Sequence, residues 1–267
     1  MPADLSATPT RAPAPGVFVT RPEREGDRWV QALRERGLDA HALPLIAIAP
    51  APDIAALGAA RRALAGCVAA MFVSANAVEG FLAGTTLAWP AGTRAWATGP
   101  GTAQALVAAG VPTAQVDAPA PDAARFDSEA LWDQVGAGVR PGDRVLIVRG
   151  GDARGQAAGR DWLALRLQAA GAQVDTAVAY VRELPVWSDD QRARALASAR
   201  GGAWWLFSSS EGVDNLQRLA AAPDWSAARA LCTHPRIADA ARAAGFGVVA
   251  AVRPGLDDIA AFLQSAP

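Results

Sequence analysis

No lysine occurs in this 267-residue chain: all 25 basic residues are arginine. Schiff-base chemistry and the phosphate-binding lysine of a P-loop are thereby excluded. Cysteine is scarce too. Cys67 and Cys232 show neither CxxC spacing nor a disulfide pattern and read as two buried thiols of a reducing compartment. His41 and His234 are the only histidines, which leaves too few ligands for a His/Cys metal cluster. No metal and no cofactor is expected. An excess of charge is also missing: 25 basic against 26 acidic residues leave a formal −1, which sets up no general field for nucleic acid or an acidic membrane. No apolar run reaches the ~18 residues that a membrane helix needs. Residues 1–16, rich in Ala, Pro and Thr, lack the basic-then-apolar order of a signal peptide and read as a disordered leader. These absences point to a soluble, cytoplasmic protein that binds neither nucleic acid nor membrane.

What is present is apolar and patterned. Hydrophobic residues make up 51% of the chain, enough for ordinary cores, and the length suggests two domains. Val17-Phe18-Val19 is a short strand; a helical stripe through Trp29, Val30 and Leu33 follows and stops at Gly37. Leu43–Ile48 reads as an extended crossover, and residues 54–65 as an alanine-rich helix. Val68–Val73 and Arg94–Thr98 read as strands, each entering a helix. Residues 112–124 read as a proline-rich surface loop, after which Ser128 is positioned to cap a helix. Val145–Val148 is a strand whose helix stops at Gly171, and Val174–Val181 alternates as a strand. Strands at 204–207 and 229–232 each lead into a further helix, the last ending at Gly245.

The later units copy the earlier ones. Sliding the chain by about 135 residues lays 72–111 on 207–246 without a gap, with about a dozen of roughly 40 positions identical. Matches include Phe72/Phe207, Ser74/Ser209, Thr98/Thr233, Pro100/Pro235 and Gly110/Gly245. The turn at Thr20-Arg21 more loosely echoes that at Arg149-Gly150. Alternating strands and helices imply parallel sheets. The expected fold is therefore α/β: two similar Rossmann/flavodoxin-like domains with parallel sheets, each built from three strand–helix units.

Ligands of such folds bind beyond the carboxyl ends of the strands, where helix N-termini present unpaired N–H groups to anions. The turns found there supply the candidate binding residues: Thr20 and Arg21; Ser74 and Asn76; Thr98, Gly99, Gly101 and Thr102; Arg149 and Gly150; Ser208, Ser209 and Ser210; Thr233 and Arg236. Any one hydroxyl could merely cap its helix. It is the recurrence that suits one large polyanion. The arginine total could reflect compositional bias, since bidentate binding of carboxylates needs particular arginines.

Nucleotide motifs fail. Gly99-Pro100-Gly101 is followed by Gln104 where GxGxxG needs glycine, and Gly150…Gly155 leads to Gln156-Ala157 where a P-loop needs Lys-Ser/Thr. That disfavours a nucleotide-dependent transferase. His234 beside Pro235 offers no persuasive Ser-His-Asp arrangement. The nine tryptophans show no stacking-platform spacing. Tyr180, the one tyrosine, could pack in a core or act as a neutral hydrogen-bond and proton donor.

The strings Val17-Phe18-Val19-Thr20-Arg21-Pro22, Leu43-Pro44-Leu45-Ile46, Phe72-Val73-Ser74-Ala75-Asn76, Thr98-Gly99-Pro100-Gly101-Thr102, Val148-Arg149-Gly150, Ala179-Tyr180, Phe207-Ser208-Ser209 and Arg236-Ile237-Ala238, in that order, resemble the uroporphyrinogen-III synthase family across residues 17–265. The resemblance implies an interleaved plan: 1–45 with 182–267 as one domain, 46–181 as the other, joined by a two-stranded connector. It also implies a monomeric lyase without cofactors that turns hydroxymethylbilane into uroporphyrinogen III. Water leaves, and the terminal pyrrole inverts through a spiro intermediate. Tyr180 then falls at the family's functionally important tyrosine, as general acid or hydrogen-bond donor, and Ser74, Thr102 and Ser209 fall at positions lining its cleft. Thr233-His234-Pro235-Arg236-Ile237 departs from the family pattern, and Arg236 there could replace lost carboxylate contacts. The alternative is a non-enzymatic two-domain binder of small polyanions, against which the missing export signal and DNA-binding segment speak.

Overall fold

The computed structural model of this chain describes residues 16–85, 88–120, 123, 125–152, 154–159, 161–200, 202–221 and 224–266. Apart from Gly16, the leader expected over 1–16 lies outside them, as do parts of the loop expected over 112–124. In chain order the first elements are β1 (Val17–Val19), α1 (Glu23–Glu35), β2 (Ala40–Ala42), β3 (Ala47–Pro50) and α2 (Ile54–Ala63). Next come β4 (Ala69–Phe72), α3 (Ala75–Leu82), β5 (Arg94–Ala97), α4 (Pro100–Ala108), β6 (Val116–Asp117) and α5 (Ser128–Val135). Then follow β7 (Arg144–Gly151), α6 (Trp162–Ala169), β8 (Gln173–Glu183), α7 (Asp189–Ser198), β9 (Trp204–Phe207) and α8 (Ser210–Leu219). The chain finishes with β10 (Arg229–Cys232), α9 (Pro235–Ala243), β11 (Val248–Ala251) and α10 (Leu256–Ser265). They fall into two compact units, Met1–Ile46 with Leu184–Pro267, and Ala47–Glu183.

The continuous unit is layered because its central strands bury both faces. Ala70, Phe72, Ala95, Leu146 and Val148 point to one side, against Leu57, Val78, Phe81 and Leu106 of α2, α3 and α4. Met71, Trp96, Val145 and Ile147 point to the other, against Leu131, Val135, Leu163 and Leu167 of α5 and α6. Strands covered on both faces read as unbroken apolar runs, and β4 and β7 do. The strand order is β3-β8-β7-β4-β5-β6, parallel except for β3, which runs antiparallel to the far end of β8 (Ala47 opposite Glu183, Pro50 opposite Tyr180).

The discontinuous unit repeats the plan with the chain cut elsewhere. Its order is β11-β10-β9-β1-β2, all parallel. Phe18, Trp205, Phe207 and Cys232 face α8 and α9, while Val17, Val19, Trp204 and Leu206 face α1 and α10. Aligning β7 with β1, β8 with β2, β4 with β9, β5 with β10 and β6 with β11 makes both sheets read 2-1-3-4-5, the flavodoxin-like order. The glycines ending corresponding helices confirm the alignment. Gly110 and Gly245 take φ of 92° and 93°, and Gly37 and Gly171 take 79° and 85°, left-handed conformations that glycine adopts without a Cβ clash.

Three differences from the sequence reading stand out. Each sheet has five parallel strands, where the sequence reading gave three to the discontinuous unit and four to the continuous one. The missed strands β2, β6 and β11 are short, partly exposed edge strands, and of these only β11, Val248–Ala251, is an apolar run. A capping box at Ser188, with Gln191 answering it, starts the unforeseen α7. Asp127 rather than Ser128 caps α5, accepting from the Ala130 N–H at 2.9 Å. No helix among the described residues is long and apolar enough to cross a membrane.

Candidate functional site

Parallel strands put their carboxyl ends on one edge. In the continuous unit the turns after β7, β4 and β5 therefore stand side by side. Ser74 takes the extended conformation of a helix N-cap, and its Oγ accepts from the Ala77 N–H at 3.3 Å. Asn76, half-buried, lies in the first turn of that helix. Thr98 ties the next turn to this one by donating from Oγ1 to the Val73 carbonyl at 3.2 Å. Gly99 then caps α4, with Pro100 at its first position. A Cβ on Gly99 would come within 3.1 Å of Phe126, whereas one on Gly101 would meet nothing. Thr102 is buried.

On the other side of β4 the β7–β8 register slips between Arg149 and Gly150, so that Gly150 lies opposite Tyr180. The tyrosine ring rests on the bare glycine, where a Cβ would stand 2.7 Å from Cζ. Tyr180 is only 2% exposed. Its Oη lies 3.2 Å from Ser74 Oγ and receives a hydrogen bond from Arg182 Nη2 at 3.1 Å. Ser74, Gly150 and Tyr180, distant in sequence, thus form one cluster, joined by Arg182. The sequence reading did not single out Arg182; its signal is its place two residues after Tyr180, on the same face of the strand. Arg149, by contrast, is buried. Its guanidinium donates to the Ala158 carbonyl (3.0 Å) and pairs with Asp161, fastening the loop from β7 to α6.

The discontinuous unit presents the matching row, with the turns after β1, β9 and β10. Thr20 is buried and donates from Oγ1 to the Leu206 carbonyl at 2.7 Å, stapling β1 to β9. Arg21 pairs with Glu25 and lies 4.2 Å from the centroid of the Trp29 ring, its Nε buried without a partner. Ser209 caps α8 by position alone, its hydroxyl making no cap bond, and Ser208 and Ser210 flank it, half-buried. Thr233 is half-buried before His234, whose Nδ1 accepts from the Arg236 N–H at 3.1 Å, and the Arg236 side chain is exposed. His234 is thus a helix cap.

Acidic residues are missing from three of these six turns. Among the described α-helices only α3, α4 and α9 have no Asp or Glu at the cap or in the first turn. The others carry one, as Glu23 and Glu25 of α1 or Asp53 capping α2 do. Carboxylates at helix N-termini are stabilising by about 0.3–1 kcal/mol, so leaving three starts bare forgoes stability and keeps their positive ends open to an anion. No three His, Cys, Asp or Glu among the described residues gather as a metal would require. Both cysteines are free and buried. Burial raises both thiols, Cys232 to about 12, so neither is disposed to act as a thiolate nucleophile.

Comparison with known proteins bears on this arrangement. The family model described as uroporphyrinogen-III synthase HemD matches residues 27–261. A triple mutant of uroporphyrinogen III synthase from the extreme thermophile Thermus thermophilus shares 21% identity at a TM-score of 0.57, over 94% of this chain and 96% of that one. Uroporphyrinogen-III synthetase from Helicobacter pylori shares 13% at a TM-score of 0.60, over 95% and 100%. At such identities the two structures speak for the fold, and the family model speaks for the family.

Proposed function

Because this chain belongs to the uroporphyrinogen-III synthase family, we propose that the carboxyl-edge turns of its two sheets hold the carboxylates of the linear tetrapyrrole. The activity is that of a lyase in porphyrin and haem biosynthesis: hydroxymethylbilane loses water and closes, its terminal pyrrole inverted, to uroporphyrinogen III. Family membership sets aside the non-catalytic polyanion binder. The observation that carries the placement is the absence of acid at the starts of α3, α4 and α9, since each pyrrole of the substrate bears two carboxylates.

The chemistry asks for orientation and one well-placed proton. Departure of the hydroxyl needs hydrogen bonding or proton transfer to its oxygen as the C–O bond breaks. The azafulvene so formed is attacked by the terminal pyrrole, and holding the chain folded can supply several kcal/mol of that barrier. In this reading Tyr180 assists the departure. Ser74 lies beside Tyr180, and Asn76, Thr98 and Thr102 with Gly99 and Gly101, and Ser208, Ser209, Ser210, Thr233 and Arg236, serve the carboxylates. Thr20, Arg21, Arg149 and Gly150 hold the turns in shape. The two units are read as the two domains of the interleaved plan. No cofactor enters, and the protein works as a cytoplasmic monomer, a location supported by its two unpaired, buried cysteines.

Titration of uroporphyrinogen III into the protein tests the placement. Affinity falls as ionic strength rises, because exposed charge pairs are screened. Ser209→Ala removes a donor that makes no cap bond and weakens binding by about 1 kcal/mol, roughly fivefold. An affinity indifferent to both salt and that substitution would place the ligand elsewhere.

A further inference from the structure

We propose that Ser74 is the side chain that meets the departing hydroxyl, and that Tyr180 acts through it, oriented by Arg182. This rests on the function proposed above and assigns the proton's route within it. Tyr180 is 2% exposed, its ring laid on Gly150 with no room for a Cβ between them, while Ser74, at the strand's end, is only half-buried. The phenol is a poor candidate for direct contact; the serine is a good one.

The Tyr180 oxygen accepts from Arg182 Nη2 and lies 3.2 Å from Ser74 Oγ, a contact in which either oxygen can donate. In the proposed relay the phenol, already accepting from the guanidinium, is the donor to Ser74. Ser74 Oγ also accepts from the Ala77 N–H. Both of its acceptor sites are then filled, and its hydroxyl proton is left to point away from the protein's own groups. A one-way relay results, from Arg182 through Tyr180 and Ser74 to a ligand. As the C–O bond of the hydroxymethyl group breaks, the Ser74 proton passes to the leaving oxygen and the Tyr180 proton passes to Ser74. Water departs. The negative charge left on the phenol oxygen sits beside the Arg182 guanidinium, a charge-assisted pair. The proton returns when the ring carbon that closes the macrocycle gives up its hydrogen on regaining aromaticity. Arg182 is on this account a positioning residue, and Ser74 a catalytic one.

A double-mutant cycle on the turnover number tests the series arrangement. Ser74→Ala and Tyr180→Phe each lower kcat at least about tenfold with KM nearly unchanged, and the double mutant is within about twofold of Ser74→Ala alone. Ser74→Gly separates catalysis from folding, because glycine caps helices almost as well as serine; it shows the same loss of kcat with a near-parental melting temperature. Arg182→Met loses activity that Arg182→Lys largely restores. Losses that multiply in the double mutant, or a Ser74→Gly enzyme with full kcat, overturn the relay. A parent protein that makes no uroporphyrinogen III would instead overturn the functional reading beneath it.

Discussion

Tyr180→Phe lowers the turnover number at least about tenfold, equivalent to ~1.4 kcal/mol of barrier. The ring stays on Gly150 and in the core of the continuous unit, so the change removes one hydroxyl and no packing. The folded state loses that hydroxyl's bonds to Ser74 and Arg182, worth about 1 kcal/mol net. General acid assistance is typically worth ~10²–10⁴ in rate, so the kinetic loss exceeds the loss of stability. The substrate's carboxylates do not depend on the phenol, and what product forms is still isomer III. A fully active phenylalanine variant would reduce Tyr180 to part of the core.

Gly80→Ala is expected to cost the most stability of any single methyl addition on the site helices. Gly80 sits in α3, where a Cβ would stand 2.2 Å from the Ala179 carbonyl oxygen of β8. Two effects oppose each other. Alanine is about 1 kcal/mol better than glycine inside a helix, but relieving this overlap moves α3 away from the strand that carries Tyr180. Overpacking of this kind costs about 1–3 kcal/mol or more, and the blocking atom is backbone, which cannot rotate aside. The steric term wins, and the melting temperature falls by roughly 5 °C, with activity falling too as Ser74 and Tyr180 separate. Gly58→Ala in α2 is the control. Its Cβ meets only the tip of Arg62 at 3.4 Å, so the same substitution stabilises by up to about 1 kcal/mol. Calorimetry that found both variants alike would contradict the packing account.

How much of this was legible beforehand follows from where each signal resides. The repeat between 72–111 and 207–246 was readable because Ser74/Ser209 and Pro100/Pro235 start helices and Gly110/Gly245 end them; such positions are dictated locally. Central strands were readable as apolar runs. Edge strands were not, since β2 and β6 satisfy one neighbour and leave the rest to water. Side-chain direction was the larger gap. Arg149 and Thr20 stand in the right turns, yet both spend their polar atoms on the protein itself, and no local pattern reveals that. Nor does spacing reveal that Tyr180 reaches Ser74, because that contact depends on the register slip beside Gly150.

The isomer formed from hydroxymethylbilane tests the central claim most directly. Left alone, the substrate closes to the type I ring, in which the terminal pyrrole keeps its orientation; a protein that folds the chain and steers the spiro step gives type III. Purified protein is added to hydroxymethylbilane, and the products are oxidised and separated. The account predicts isomer III in proportion to the protein added. Type I alone, at the rate of the protein-free control, would contradict it.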